Sequence, residues 1–132
     1  MPSEEMIALA RQVMGRAYAP YSNFPVGAVL RGRNGKLYAG CNVENAAYPQ
    51  GTCAEVAAIA VMVADGERRI VEAVVMGEGK AVIAPCGGCR QHLHEFAADD
   101  TPIHLCGPEG VRRTVTMGEL LPLAFGPENL KP

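Results

Sequence analysis

Three cysteines and one glutamate are the residues of this sequence best suited to chemistry. Cys53 lies two positions before Glu55, and Pro85 precedes Cys86 and Cys89, which are separated by two glycines. Three thiolates are suitable ligands for zinc, and a catalytic zinc ion keeps its fourth position for water, whose pKa it lowers to about 7. Glu55 is poorly placed to bind the metal itself but can reach that water. The spacing therefore predicts a catalytic zinc site in which Glu55 moves protons.

The same cysteines allow two other interpretations, a redox dithiol or half of a zinc ribbon. A redox dithiol would not need Cys53 and Glu55, and a ribbon would need a second pair of closely spaced cysteines, which this sequence lacks. The total of five cysteines is odd, which favours metal binding or catalysis over disulfides. Cys41 and Cys106 fall in predicted strands and are expected in the core. We expect surface or core positions, and no metal binding, for the three histidines, His92, His94 and His104.

Local patterns predict the elements that position these residues. They predict helices at 3–16, 53–64 and 87–97, strands at 25–32, 36–42, 69–77, 102–106 and 111–116, and a helical turn at 117–121. Asn34 and Gly35 indicate a hairpin between the first two strands. The order predicts one α/β domain over 1–132, a three-layer α/β/α sandwich with a five-stranded mixed sheet and a tail at 126–132. A right-handed crossover would bring the thiol-bearing helix N-termini together, where the helix dipoles should lower thiol pKa values.

Composition excludes several classes of protein. The 132 residues are 48% apolar and 20% charged, with a net charge of −2, which excludes a disordered chain. Neither half carries an excess of basic residues, so nucleic acid is not an expected partner, and the arginine pairs at 68–69 and 112–113 are expected at solvated strand ends. The longest apolar run, 56–64, is short of the ~20 residues of a membrane span. Glu4 and Glu5 stand where a signal peptide would be basic, so we expect a soluble, cytoplasmic protein.

The zinc motif is typical of nucleobase deaminases, in which a His or Cys, one residue and Glu precede Pro-Cys-x-x-Cys. Further segments in the same order resemble the small, homotetrameric class of cytidine deaminases. They cover nearly the whole chain and lie at 19–22, 24–28, 40–48, 52–55, 85–91 and 120–125. The resemblance implies the cytidine deaminase fold and hydrolytic deamination of cytidine and 2′-deoxycytidine, with release of ammonia, in pyrimidine salvage.

The resemblance also implies roles for individual residues. Cys53, Cys86 and Cys89 would hold one zinc ion per chain, and Glu55 would be the proton shuttle. Asn42 and Glu44 would bind the ribose. An amide and a carboxylate are strong hydrogen-bond partners for sugar hydroxyls, and both residues directly follow an apolar strand, where polar side chains need a partner.

Further implied roles concern the base and the neighbouring subunits. Phe24 would pack against the pyrimidine, and the backbone of Ala54 would read the base. Ala46 and Tyr48 would belong to a loop that approaches a neighbour's site, while Phe125 would stack on a base held by another subunit. The active form would then be a homotetramer whose sites are shared between chains.

One position departs from the family pattern, because Val56 stands where many relatives carry arginine after the catalytic glutamate. Three thiolates and a zinc ion carry a net charge of −1, which an arginine would partly neutralise; Arg90 and the two helix N-termini are the candidates to replace it. Two alternatives to a cytidine deaminase stay open on the sequence. One is a deaminase of another small aminated nucleoside, such as blasticidin S, and the other is a non-catalytic zinc-binding assembly module.

Overall fold

The computed structural model describes residues 2–130 and contains one five-stranded mixed sheet with helices on both faces. Its strands are β1 (Val26–Gly32), β2 (Leu37–Cys41), β3 (Ile70–Gly77), β4 (Pro102–Gly107) and β5 (Gly110–Thr116). Its helices are α1 (Glu4–Met14), α2 (Ala54–Ala64), α3 (Gly87–Phe96) and α4 (Met117–Leu120), and 3₁₀ turns cover Tyr48–Gln50 and Pro127–Asn129. The strand order is β2-β1-β3-β4-β5, in which only β3 and β4 are parallel. The predicted α/β/α sandwich is confirmed.

Local sequence signals account for the ends of several elements. The Ser3 hydroxyl accepts a hydrogen bond from the backbone N–H of Met6 at 3.2 Å and so caps α1. Between β1 and β2, Gly35 adopts a left-handed φ of 85°, as the predicted hairpin turn requires. The helices and strands were predicted to within two residues of these bounds, whereas both 3₁₀ turns were missed.

Alternating side chains in the central strands divide the core between the two faces of the sheet. Ala73 and Val75 of β3 face α2 and α3, where they pack with Met62 and Leu93. Val74 and Met76 of β3 point to the opposite face, toward α1. They belong to a second cluster of seven buried residues, Met6, Ala10, Met14, Val29, Val74, Met76 and Cys106. Burying both faces fixes the register of the strands, because a slip by one residue would exchange the two sets of side chains.

Gly40 allows α2 to lie directly on β2. A Cβ atom at this position would come within 2.5 Å of the Ala58 nitrogen and 2.7 Å of the Ala54 carbonyl oxygen, so any larger residue would push the helix away. Cys53, at the start of this helix, is therefore held at a fixed height above the sheet.

One expectation needs correction. Cys106 is buried as predicted, but Cys41 is only half-buried because it ends the edge strand β2. Within the predicted tail, Gly126 is buried, Pro127–Asn129 forms an exposed 3₁₀ turn, and residues 131–132 lie outside the described residues. Among the helices of residues 2–130, none combines the length and the apolar character needed to cross a membrane.

Candidate active site

The three predicted thiols meet where α2 and α3 begin. Cys53 is the N-cap residue of α2, Cys86 is the N-cap residue of α3, and Cys89 lies in the first turn of α3. Their sulfur atoms all lie within 4.8 Å of one another, and the Sγ atoms of Cys53 and Cys86 are 3.9 Å apart. Tetrahedral zinc with Zn–S bonds of about 2.3 Å needs sulfur atoms roughly 3.8 Å apart. The thiols therefore fit one zinc ion per chain.

The electrostatic environment differs among the three thiols. The backbone N–H of Cys89 lowers the pKa of the Cys86 thiol, as expected at a helix N-terminus. Burial instead raises the pKa of Cys53 and, much more strongly, that of Cys89. The expectation that the helix N-termini lower thiol pKa values thus holds for Cys86 alone. Metal binding must overcome the cost of ionising the other two.

Glu55 lies in the first turn of α2 with only 4% of its surface exposed. Burial raises the pKa of its carboxyl above the ordinary value for glutamate. It faces the same cavity as the thiols, so a carboxyl group of raised pKa lies beside the predicted metal position.

One cavity of about 390 Å³ is lined both by the three thiols and by polar side chains. Apolar side chains form its walls, and they belong to Phe24, Val26, Val75 and Ile83. Its polar lining includes Asn42 and Glu44, and Ala54, the residue before Glu55 in the chain, lines it as well. The cavity therefore suits a flat, largely apolar ring that carries a polar substituent.

Asn42 and Glu44 are both held by the backbone of neighbouring loops. The Asn42 side chain accepts a hydrogen bond from the Val26 N–H at 2.9 Å and donates one to the Phe24 carbonyl at 3.0 Å. Glu44 accepts hydrogen bonds from the Tyr21 and Ser22 N–H groups, each at 3.0 Å, and from the Ser22 hydroxyl. These bonds lower the pKa of Glu44, with the Ser22 hydroxyl contributing most. Asn42 also positions Phe24, a role that its residue type alone did not reveal.

Three of the predicted site residues do not line this cavity in their own chain. Tyr48 lines an adjoining cavity, where its ring packs edge-on against Tyr21 at a centroid distance of 5.7 Å. Ala46 lies in the exposed loop before it. Phe125 lies against α3, where its carbonyl accepts a hydrogen bond from the Gln91 amide at 2.9 Å, and 58% of the residue's surface is exposed.

Sequence reasoning missed Ser22 and Ile83. Ser22 binds Glu44; its only signals in the sequence were its place after a Pro-Tyr break and within the family segment 19–22. Ile83 lies in the irregular loop 78–85, where no periodicity marks the side chain that faces the cavity. A second, smaller cavity of about 210 Å³ is also lined by the thiols, together with Val56 and His92.

The Arg90 side chain binds two backbone carbonyls. Its guanidinium donates hydrogen bonds to the Pro85 carbonyl at 2.8 Å and to the Leu120 carbonyl at 3.0 Å. It therefore links the segment before Cys86 to α4.

Comparison with known proteins decides the family. The model of the cytidine and deoxycytidylate deaminase zinc-binding region matches residues 2–105. The chain belongs to this deaminase family. The cytidine deaminase of Sporosarcina psychrophila is 40% identical over 130 residues, which are 98% of this chain and 96% of the relative. That of Mycobacterium tuberculosis is 41% identical over 122 residues, which are 92% of this chain and 87% of the relative.

Solved structures agree with this membership. The crystal structure of cytidine deaminase from Burkholderia pseudomallei superposes with a TM-score of 0.88 at 42% identity and covers 95% of this chain and 100% of its own. The deaminase family is thus supported by sequence and fold together. The match of the family model ends at 105, so Phe125 lies beyond it.

Proposed function

We propose that the protein is a cytidine deaminase that converts cytidine and 2′-deoxycytidine, with one water, into uridine or 2′-deoxyuridine and ammonia. The observation that carries the proposal is that the buried Glu55 shares one cavity with the three thiols and with Asn42 and Glu44. A proton-transfer group, a metal-binding trio and hydroxyl-binding groups are the parts this reaction needs. Relatives named cytidine deaminase align over almost the entire chain.

The residues divide the chemistry between them. Zinc held by Cys53, Cys86 and Cys89 would supply the Lewis acidity that makes a water nucleophilic at neutral pH. The Glu55 carboxylate accepts the proton of that water, passes it to the ring nitrogen next to the attacked carbon, and delivers a proton to the departing amine. Its burial suits this work because it brings the carboxyl pKa closer to neutral pH.

Substrate binding uses the other residues that line the cavity. Phe24 packs against the pyrimidine, and the backbone of Ala54 hydrogen-bonds the base. Glu44 is ionised and prearranged by its bonds to Tyr21 and Ser22, so it can accept a hydrogen bond from a ribose hydroxyl at little ordering cost. Asn42 keeps Phe24 in place and offers its amide to the same sugar.

We further infer a cytoplasmic homotetramer in which neighbouring chains complete each site. Three exposed residues support shared sites, namely Phe125, Tyr48 and Leu123, because each presents a large apolar surface outside the cavity of its own chain. Mixed assemblies of Glu55→Gln and Phe125→Ala chains test this inference. If sites are shared, mixing restores activity, because Phe125→Ala sites regain a phenylalanine from the partner. Equal activity before and after mixing would exclude sharing, and equilibrium sedimentation would give the assembly size.

An activity panel tests the proposed reaction. Zinc-loaded protein is assayed by loss of ultraviolet absorbance with cytidine, 2′-deoxycytidine, cytosine, adenosine and blasticidin S. We expect turnover of the first two alone. Faster turnover of blasticidin S than of cytidine would show that the proposed substrate is wrong. Zinc binding without turnover of any compound would favour a non-catalytic zinc module.

A further inference from the structure

The loop at residues 78–85 forms part of the substrate cavity without having regular structure of its own. It connects β3 to the thiol-bearing start of α3, and its Ile83 lines the cavity. The Ile83 side chain lies against Gly77, where any Cβ atom would collide with Ile83 Cδ1. Most of the loop's other side chains are exposed, so few apolar contacts hold it in this position.

Arg112 supplies the missing anchor from β5, on the far edge of the sheet. Its Nη1 and Nη2 atoms donate hydrogen bonds to the carbonyls of Ala81 at 2.9 Å and Gly79 at 2.6 Å. The guanidinium is itself fixed by Glu109, with Nε 2.7 Å from Oε2 and Nη2 3.1 Å from Oε1. The side chain is only 17% exposed, so the expectation that Arg112 lies at a solvated strand end is wrong.

The Arg112 side chain can cross β4 only because residue 107 is a glycine. The Arg112 guanidinium passes over Gly107, where any Cβ atom would occupy the space of its nitrogen atoms. Charged hydrogen bonds of this kind are stronger than those between neutral groups, and a planar fork can reach two carbonyls at once. Two successive bonds to the same loop restrict it far more than a single surface ion pair would.

We propose that Arg112 is a positioning residue for substrate binding, which acts by holding the loop 78–85 so that Ile83 closes the wall of the cavity. This inference rests on the proposed function for its kinetic readout. Without the arginine, the loop would leave this position for part of the time. The apparent affinity for substrate then falls in proportion to the fraction of molecules in which the loop is closed.

The test compares Arg112→Met with Arg113→Met, both as zinc-loaded full-length protein. Arg113 is the adjacent residue of β5 and is exposed, so its variant controls for the loss of one positive charge. If the loop is closed in about a tenth of Arg112→Met molecules, KM for cytidine rises about tenfold while kcat stays within about threefold. Hydrogen exchange should become faster in residues 78–85 and stay unchanged in the core strands.

Two further variants keep the proposal falsifiable if Arg112→Met does not fold. Arg112→Lys retains the charge but can reach only one carbonyl, so its KM for cytidine should exceed that of Arg113→Met by less than the tenfold expected for complete loss of the anchor. Glu109→Gln loosens the arginine and should raise KM in the same direction by a smaller factor. Exchange in 78–85 as slow as in Arg113→Met would overturn the proposal whatever the substrate. A wild type without activity but with the predicted exchange pattern would instead refute the proposed function alone.

Discussion

Replacing Glu55 by glutamine separates the chemical role of this residue from its structural one. Glutamine has nearly the same size and fits the same buried position, but it can neither accept nor deliver the required proton. General acid–base catalysis by a positioned side chain contributes about 10²- to 10⁴-fold to rate. We therefore expect Glu55→Gln to lose at least that factor in kcat while it still binds one zinc per chain.

The same substitution should not destabilise the protein, because burial raises the pKa of Glu55 in the folded state. Between its unfolded and folded pKa values the folded chain binds more protons, so this residue's contribution to stability falls as the pH rises through that range. Above both values, each unit by which the pKa is raised corresponds to about 1.4 kcal/mol of lost stability. Glu55→Gln removes that cost, so its free energy of unfolding should equal or exceed that of wild type at pH 8.

The assay combines steady-state kinetics with urea unfolding at pH 5 and pH 8, at matched zinc concentrations. Glu95→Gln is the control, because Glu95 is an exposed carboxylate on α3. That control should leave both kcat and the pH dependence of stability unchanged. The reasoning is refuted if Glu55→Gln keeps wild-type kcat, or if it loses stability at pH 8 relative to pH 5 more steeply than wild type does.

Three further changes probe the metal-binding and sugar-binding residues. Cys86→Ala should bind less than one zinc per chain by metal analysis and should unfold at a lower temperature, because metal binding is coupled to folding; an unchanged zinc content would remove Cys86 from the ligands. Glu44→Gln should lower kcat/KM for cytidine by roughly 10- to 150-fold, the equivalent of one charged hydrogen bond of about 1.5–3 kcal/mol. That loss should be absent with 2′,3′-dideoxycytidine, and an equal loss with both nucleosides would exclude sugar binding by Glu44. Val56→Arg, at a half-buried position beside the thiols, should slow zinc loss to a chelator by about fivefold, or about 1 kcal/mol; an unchanged rate, in a variant shown to be folded, would mean that the thiolates need no added charge.

Local patterns were sufficient for the sheet and the metal site. The apolar alternation in β3 and the Asn34-Gly35 turn depend on short-range geometry, so they predicted strand positions well. The thiols were predictable because Cys53 and Cys86 each begin a helix that packs on the same face of the sheet.

Contacts between distant segments were not predictable in the same way. Nothing near Arg112 in the chain indicates that it binds the carbonyls of residues 79 and 81, since that contact depends on how β5 and the loop 78–85 are placed by the fold. The part of Asn42 in positioning Phe24 has the same origin. In both cases the acceptors are backbone carbonyls, which every residue has, so the residue types do not indicate these contacts.

The most direct test of the account measures cytidine turnover as zinc is returned stepwise to metal-free protein. Three thiols that hold a single ion beside Glu55 predict a rate that rises in proportion to bound zinc and stops rising at one zinc per chain. A rate independent of bound zinc, or one that still rises beyond one ion per chain, would contradict the assignment of the chemistry to this site.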